Sequence, residues 1–211
     1  MKRLVNVFAA ISLFVLAIGT SSAAVIFTAS LTHDQEVVTG TLLTSTGLPR
    51  PLSRGFATLL LNDAQTELAM TVTIFNIDIT GTQTPDDTND NLRDAHIHVG
   101  APPGVNAPVR WGFFGSPDND NNPDNLVVTP FLVGVGGTFT SIWNQPEGNA
   151  GTTLTSNLPA ILANLSYLNF HTVQFPGGEI RGQIIVPEPE SVALIMTAAL
   201  AAWFMRRRAR R

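Results

Sequence analysis

The chain predicts an all-β fold, an antiparallel β-sandwich of the Greek-key type. Three observations carry that expectation. Short apolar or alternating segments recur through the middle of the chain, with turn residues between them. Helical periodicity is almost absent there. The stretch 167–186, YLNFHTVQFPGGEIRGQIIV, reads as two strands closed by Pro176-Gly177-Gly178. Proline pre-sets one turn dihedral, and glycine admits the positive φ that a tight reversal needs.

With three residues in that turn, Leu168 and Phe170 share a face with Ile180, Ile184 and Val186. Tyr167, Asn169 and His171 then share the opposite face with Glu179, Arg181 and Gln183. A slip of one residue would put Arg181 in the core, at a high desolvation cost. The favoured register therefore gathers His171, Glu179 and Arg181 on one polar face. A second strand, Ala95-His96-Ile97-His98-Val99, alternates strictly. Its alanine, isoleucine and valine point one way, and His96 and His98 the other. Three of the four histidines of the chain lie in these two segments.

Both ends of the chain differ from its middle. Lys2 and Arg3 precede an apolar run over 4–18, and small residues follow at Ser21, Ser22, Ala23 and Ala24. That order is expected of a secretory signal peptide over 1–24. After Val186 come Pro187, Glu188 and Pro189, an apolar run over 192–205, and Arg206, Arg207, Arg208, Arg210 and Arg211. The run falls short of the roughly 20 residues of a comfortable span. Snorkelling arginines extend it into a short membrane-anchor helix, and their charge keeps that end in the cytoplasm and the body outside.

The body, 25–186, is one domain with room for a sizeable core. It holds five arginines, no lysine and fourteen acids, a net charge of −9. Such a balance disfavours nucleic acid and anionic membranes as partners. The chain has no cysteine, so disulfides, thiolate metal sites and cysteine nucleophiles are excluded, although export would permit disulfides.

Within the body the expected elements run as follows. A strand over 25–31 is followed by a Thr-, Gly- and Pro-rich loop or weak edge strand over 39–51. A short strand over 56–61, a turn at Asn62-Asp63-Ala64-Gln65 and an alternating strand over 68–74 form a hairpin. A polar loop over 80–94 leads to the His-x-His strand, which ends at Pro102-Pro103-Gly104. Strands over 109–114, 126–133 and 138–143 follow, with a polar loop over 116–125. A single helical turn over 158–164 opens at Asn157, with Pro159 at its start. The main hairpin completes the set of about eight or nine strands.

Two kinds of metal chemistry are open to these residues. His96, His98 and His171 on neighbouring strands suit copper or zinc with an open fourth position. Glu179 is the candidate fourth ligand, or the partner that orients His171. The competing reading is a structural polar cluster in which His171, Glu179 and Arg181 hydrogen-bond across the hairpin. Asp118, Asp120, Asn122 and Asp124 have the alternate-oxygen spacing of a calcium loop, but neither its sixth-position glycine nor its twelfth-position glutamate. Asp86, Asp87, Asp90 and Asp94 form a second acidic loop. No nucleophile-elbow, phosphate-loop or dinucleotide motif is present, so no complete catalytic constellation is assembled.

The tail, Pro187-Glu188-Pro189 with its apolar run and terminal arginines, resembles the PEP-CTERM sorting signal of Gram-negative bacteria. That resemblance implies an exosortase as partner, cleavage near the Pro-Glu-Pro element, transient anchoring in the inner membrane and display at the cell surface or in an exopolysaccharide or biofilm matrix. The body resembles the CHRD domain. The carrying segments are Gln35-Glu36 in the opening 31–37, Ala95-His96-Ile97-His98, 167–172 and Pro176-Gly177-Gly178-Glu179-Ile180-Arg181-Gly182-Gln183-Ile184. The order of His96-x-His98, His171 and a Gly-rich turn before the last strand is similar to that of copper/zinc superoxide dismutase. There is no His-rich zinc loop and no disulfide, and Glu179 stands where the guiding arginine is expected, so the likeness extends to a metal scaffold rather than to dismutase activity. Two functions follow as expectations: a surface-sorted binding or structural module with a polysaccharide or protein ligand, and a copper- or zinc-binding domain.

Overall fold

The computed structural model describes residues 24–187. The expected signal peptide and C-terminal anchor fall outside the described residues. Among the described residues no helix is long and apolar enough to cross a membrane.

Nine strands form the body. They are β1 (Val25–Thr32), β2 (Arg54–Leu61), β3 (Glu67–Phe75), β4 (Leu92–Val99), β5 (Val109–Phe114), β6 (Val127–Pro130), β7 (Gly136–Asn144), β8 (Ser166–Thr172) and β9 (Ile180–Ile184). One helix, α1 (Leu154–Leu162), precedes β8. The strands pair in the order β5-β4-β8-β9-β1-β2-β3-β7-β6, and every pair is antiparallel. The all-β, antiparallel expectation holds. The strands make one continuous sheet, however, and not two separately bonded ones. The joint between its halves is thin: β1 meets β9 at Thr32 and Arg181, with a further bridge between Thr28 and Ile185.

At that joint the sheet curls and encloses the core. Trp111 of β5 stacks on Trp143 of β7, with centroids 5.5 Å apart and planes 2° from parallel. Phe139 of β7 meets Phe170 of β8 edge-on at 5.5 Å. Alternation explains which residues go in. Leu68, Met70, Val72 and Ile74 of β3 are buried, and between them Thr71 faces solvent. Burying each large apolar side chain stabilises by about 1.5–3 kcal/mol.

The strands β4, β8 and β9 depart from this one-sided pattern, because they are buried on both faces. Their inner face carries Ala95, Ile97, Leu168, Phe170 and Ile180. Their outer face carries His96, His98, Tyr167, Asn169, His171 and Arg181, and loops cover it. The polar face expected from the alternation is therefore present but enclosed.

The β8–β9 connection is longer than the expected three-residue turn, since β8 ends at Thr172 and β9 begins at Ile180. Phe170 lies opposite Ile180, and Asn169 opposite Arg181. The reason is local. The N–H groups of Val173 and Gln174 donate to the carbonyls of Asn91 and Asn89, so they leave the hairpin ladder. The shift in register is even, so the paired side chains of β8 and β9 keep their predicted faces.

The helix also starts earlier than Asn157. Thr153 caps it through a reciprocal capping box with Ser156, and Leu154, Leu158 and Ile161 are buried. Pro159 thus sits inside the helix, where it forfeits one hydrogen bond against that burial. β6 stops at Pro130, which has no N–H to continue the ladder, and Leu132 and Val133 beyond it are fully exposed.

Candidate metal centre

His96 and His98 are two apart on β4, and His171 sits on β8, which pairs with β4 along its length. Antiparallel register places Asn169 directly opposite His96 and Tyr167 opposite His98. The three imidazoles converge above that patch. One nitrogen from each lies within 4.8 Å of the other two, and all three residues are buried. Among the described residues this is the one group of three or more histidine or acidic side chains so placed.

Each ring is oriented by a carbonyl from a different loop. His96 Nε2 donates to the Ser116 carbonyl at 3.0 Å. His98 Nδ1 donates to the Ala107 carbonyl at 2.8 Å. His171 Nδ1 donates to the Pro176 carbonyl at 3.0 Å. A neutral imidazole has one N–H and one lone pair. These contacts therefore leave lone pairs on His96 Nδ1, His98 Nε2 and His171 Nε2. His98 Nε2 is buried with no partner at all. Carbonyl contacts of this kind fix the tautomer and ring plane of metal-ligating histidines.

Burial also favours the neutral, ligating form. It pushes His98 and His171 down to about 4, and neighbouring imidazole charge adds to the effect on both. His96 is likewise lowered by burial, against the opposing pull of the Ser116 contact and Asp94. His98 lies flat on Tyr167, with ring centroids 4.6 Å apart and planes 5° from parallel. The Arg181 guanidinium covers the other face of Tyr167 at 3.4 Å and donates to Asn106 Oδ1 and the Val105 carbonyl. That stack fixes the His98 ring and accommodates a buried cation.

Glu179 does not join the histidines. Its carboxylate receives both terminal nitrogens of Arg50, at 2.9 and 2.6 Å, the Thr172 hydroxyl at 2.6 Å and the Ser53 hydroxyl. The expected fourth ligand is thus a buried structural ion pair, and the orienting contact of His171 comes from the Pro176 carbonyl. The alternative cluster of His171, Glu179 and Arg181 is not formed either. Nothing in the Thr-rich loop flagged Arg50 as the partner of Glu179. The fourth histidine, His33, lies apart, with Nδ1 donating to the Glu179 carbonyl at 2.7 Å and its ring edge-on to Phe175.

The acidic loop over 116–125 does not gather its carboxylates. Asp118 and Asp124 accept from backbone N–H groups two residues on, those of Asp120 and Leu126. Asp120 is buried against the Ser141 hydroxyl, and the Asn122 N–H donates to Glu147. The Asp118 and Asp124 contacts are turn-forming, each side chain serving its own stretch of backbone, whereas those of Asp120 and Asn122 tie the loop to Ser141 and Glu147. Asp86, Asp87 and Asp90 line a cavity of about 450 Å³ beside Arg50. Its arginine is committed to Glu179, and none of its lining side chains has a buried atom left unpartnered. Asp94 is separate: it holds the Ser116 N–H at 2.7 Å and so steadies the loop above His96.

No curated protein and no solved structure matches the chain. The family model for the CHRD domain matches residues 27–184, which takes in the sheet from the third residue of β1 to the end of β9 and all three histidines of the centre. The chain belongs to the CHRD domain family.

Proposed function

We propose that this protein is an exported, surface-sorted CHRD module whose three-histidine centre binds a copper or zinc ion. One observation carries the metal reading. Each imidazole spends its N–H on a backbone carbonyl, so three lone pairs meet in a buried site with no hydrogen to share among them. A structural cluster would pair donors with acceptors, whereas a metal ion is the natural partner for three acceptors. The donor set, all imidazole, suits copper and zinc better than calcium.

Export and sorting rest on the sequence features of residues 1–24 and 187–211. They imply an exosortase-type processing enzyme as partner, inner-membrane anchoring before cleavage, and a place at the cell surface or in an extracellular matrix. The exposed faces of the module are then available to a polysaccharide or protein ligand. The facing of β5 and β8 with β7 supports describing the curled sheet as a Greek-key-type sandwich.

The test is metal content. Purified without a histidine tag and supplied in turn with copper, zinc and calcium, the chain is expected to retain about one equivalent of copper or zinc. His96→Ala or His171→Ala should abolish it. An empty site under all three conditions removes the metal reading and leaves a display module whose ligand is sought among polysaccharides and proteins.

A further inference from the structure

Arg181 carries a buried charge that no carboxylate holds. It is 1% exposed, and among the described residues the one salt bridge is that of Arg50 with Glu179. Arg181 donates instead to two neutral oxygens, Asn106 Oδ1 at 3.3 Å and the Val105 carbonyl at 2.6 Å. A buried guanidinium without an anion is costly, and its field goes largely uncancelled. That field reaches the centre. The guanidinium lies 3.4 Å from the centroid of Tyr167, whose ring lies flat on His98. Burial lowers His98 first of all, and the charges of the other two imidazoles and of Arg181 add to it.

The anions that could offset this charge are spent or weakened. Glu179 is taken by Arg50. Glu36 feels Arg181, but burial pushes its carboxyl up to about 7, so much of it is uncharged near neutral pH. Asp94 and Arg93 act on His171 with opposite signs. Among the described residues no carboxylate joins the three imidazoles, and the chain offers no thiolate.

An ion at the centre is therefore held by three neutral donors, out of water, with a fixed positive charge one aromatic ring away. The cost of taking an ion out of water rises with the square of its charge, about fourfold from a monovalent to a divalent ion. Its repulsion by Arg181 rises about twofold. Imidazole suits copper and zinc alike, so charge decides between the ions. We infer that the centre takes copper as the monovalent ion, and that Arg181 sets this choice against divalent ions. Three donors suffice for copper(I), whereas zinc takes a fourth. This inference rests on the metal reading above and adds to it the ion, its charge and the residue that selects it.

The test uses the full chain under argon, loaded with copper(I) in the presence of ascorbate. The potential of the bound copper couple, set against that of the free ion, reads the ratio of the two affinities, about 59 mV per tenfold. The wild type is expected to favour copper(I) about hundredfold, which places its couple about 120 mV above that of the free ion. Arg181→Met should cut this preference about tenfold, the effect of one unit of charge at about 10 Å in a medium of effective dielectric about 20. Arg181→Lys keeps the charge and should keep the potential. A wild-type couple at or below that of the free ion overturns the inference, and so does a raised couple that Arg181→Met leaves unmoved. Should Arg181→Met not fold, the wild-type potential and a competition with one equivalent of zinc decide the matter, because zinc should not displace the copper(I). A chain that takes up zinc but releases copper(I) overturns this inference and leaves the metal reading standing. A chain that takes up neither fails earlier, at the metal reading itself.

Discussion

His96 Nδ1 stands 3.2 Å from His171 Nε2, and the other nitrogen of each ring already donates to a backbone carbonyl. Two lone pairs at hydrogen-bond distance repel. A shared proton would relieve the repulsion, but it would put a positive charge where burial favours neutral rings. Ligation by a metal ion removes both difficulties, because it takes up both lone pairs and leaves the rings neutral.

Metal should therefore stabilise the fold through these residues. Zinc at about 100 times its dissociation constant adds about 2.7 kcal/mol to the unfolding free energy. Thermal melts with zinc and then with excess chelator should show the gain and its reversal. His171→Ala is expected to melt at the same temperature in both conditions.

Glu179 should matter to stability and not to metal. Glu179→Gln or Arg50→Met breaks a buried ion pair and leaves one partner uncompensated, a cost of about 3–5 kcal/mol. Urea melts check the cost. The metal stoichiometry of whichever variant remains folded should equal that of the wild type. A variant that folds normally and loses metal would return Glu179 to the centre.

Much of the centre was legible because strands obey a period of two. The alternation of residues 95–99 put His96 and His98 on one face, and the parity of the hairpin put His171 on the same side, even though the turn length differed. Parity survives any even slip, which is why the face was predictable and the register was not. Glu179 failed for a related reason. It lies outside the paired part of β9, so alternation says little about its direction, and its partner Arg50 is 129 residues away in a loop without periodicity. The burial of the polar face was also hidden. Loops cover it through the backbone carbonyls of Ser116, Ala107 and Pro176, and backbone contacts leave no trace in side-chain composition.

Asp120 should make stability fall as pH rises. Its carboxyl is pushed up to about 6, chiefly by burial and further by the charge of Glu147, against the Ser141 contact. The folded-state value thus lies above the ordinary 3.8. Its stabilising contribution is full below about pH 4 and is lost as pH rises through about 6. Asp120→Asn should flatten the stability profile between those values and gain about 2 kcal/mol at pH 7. Urea melts of both proteins at pH 4 and pH 7 decide it, and a difference that does not change with pH counts against the assignment.

Gly112 should control the centre without touching a metal. A Cβ there would fall 1.7 Å from the Pro117 carbonyl oxygen and 3.1 Å from His96 Cδ2. Gly112→Ala must therefore lift the loop that brings the Ser116 carbonyl to His96 Nε2. Without that acceptor the His96 ring is free to change tautomer and plane, and loss of such an orienting partner typically costs about 10–100-fold in metal affinity. Competition against a chromophoric chelator measures the loss. Gly177→Ala is the control, because nothing lies within 4 Å of a Cβ at that position. A large drop for Gly112→Ala with none for Gly177→Ala would show that the loop carbonyl, and not general loosening of the body, sets the affinity of the centre.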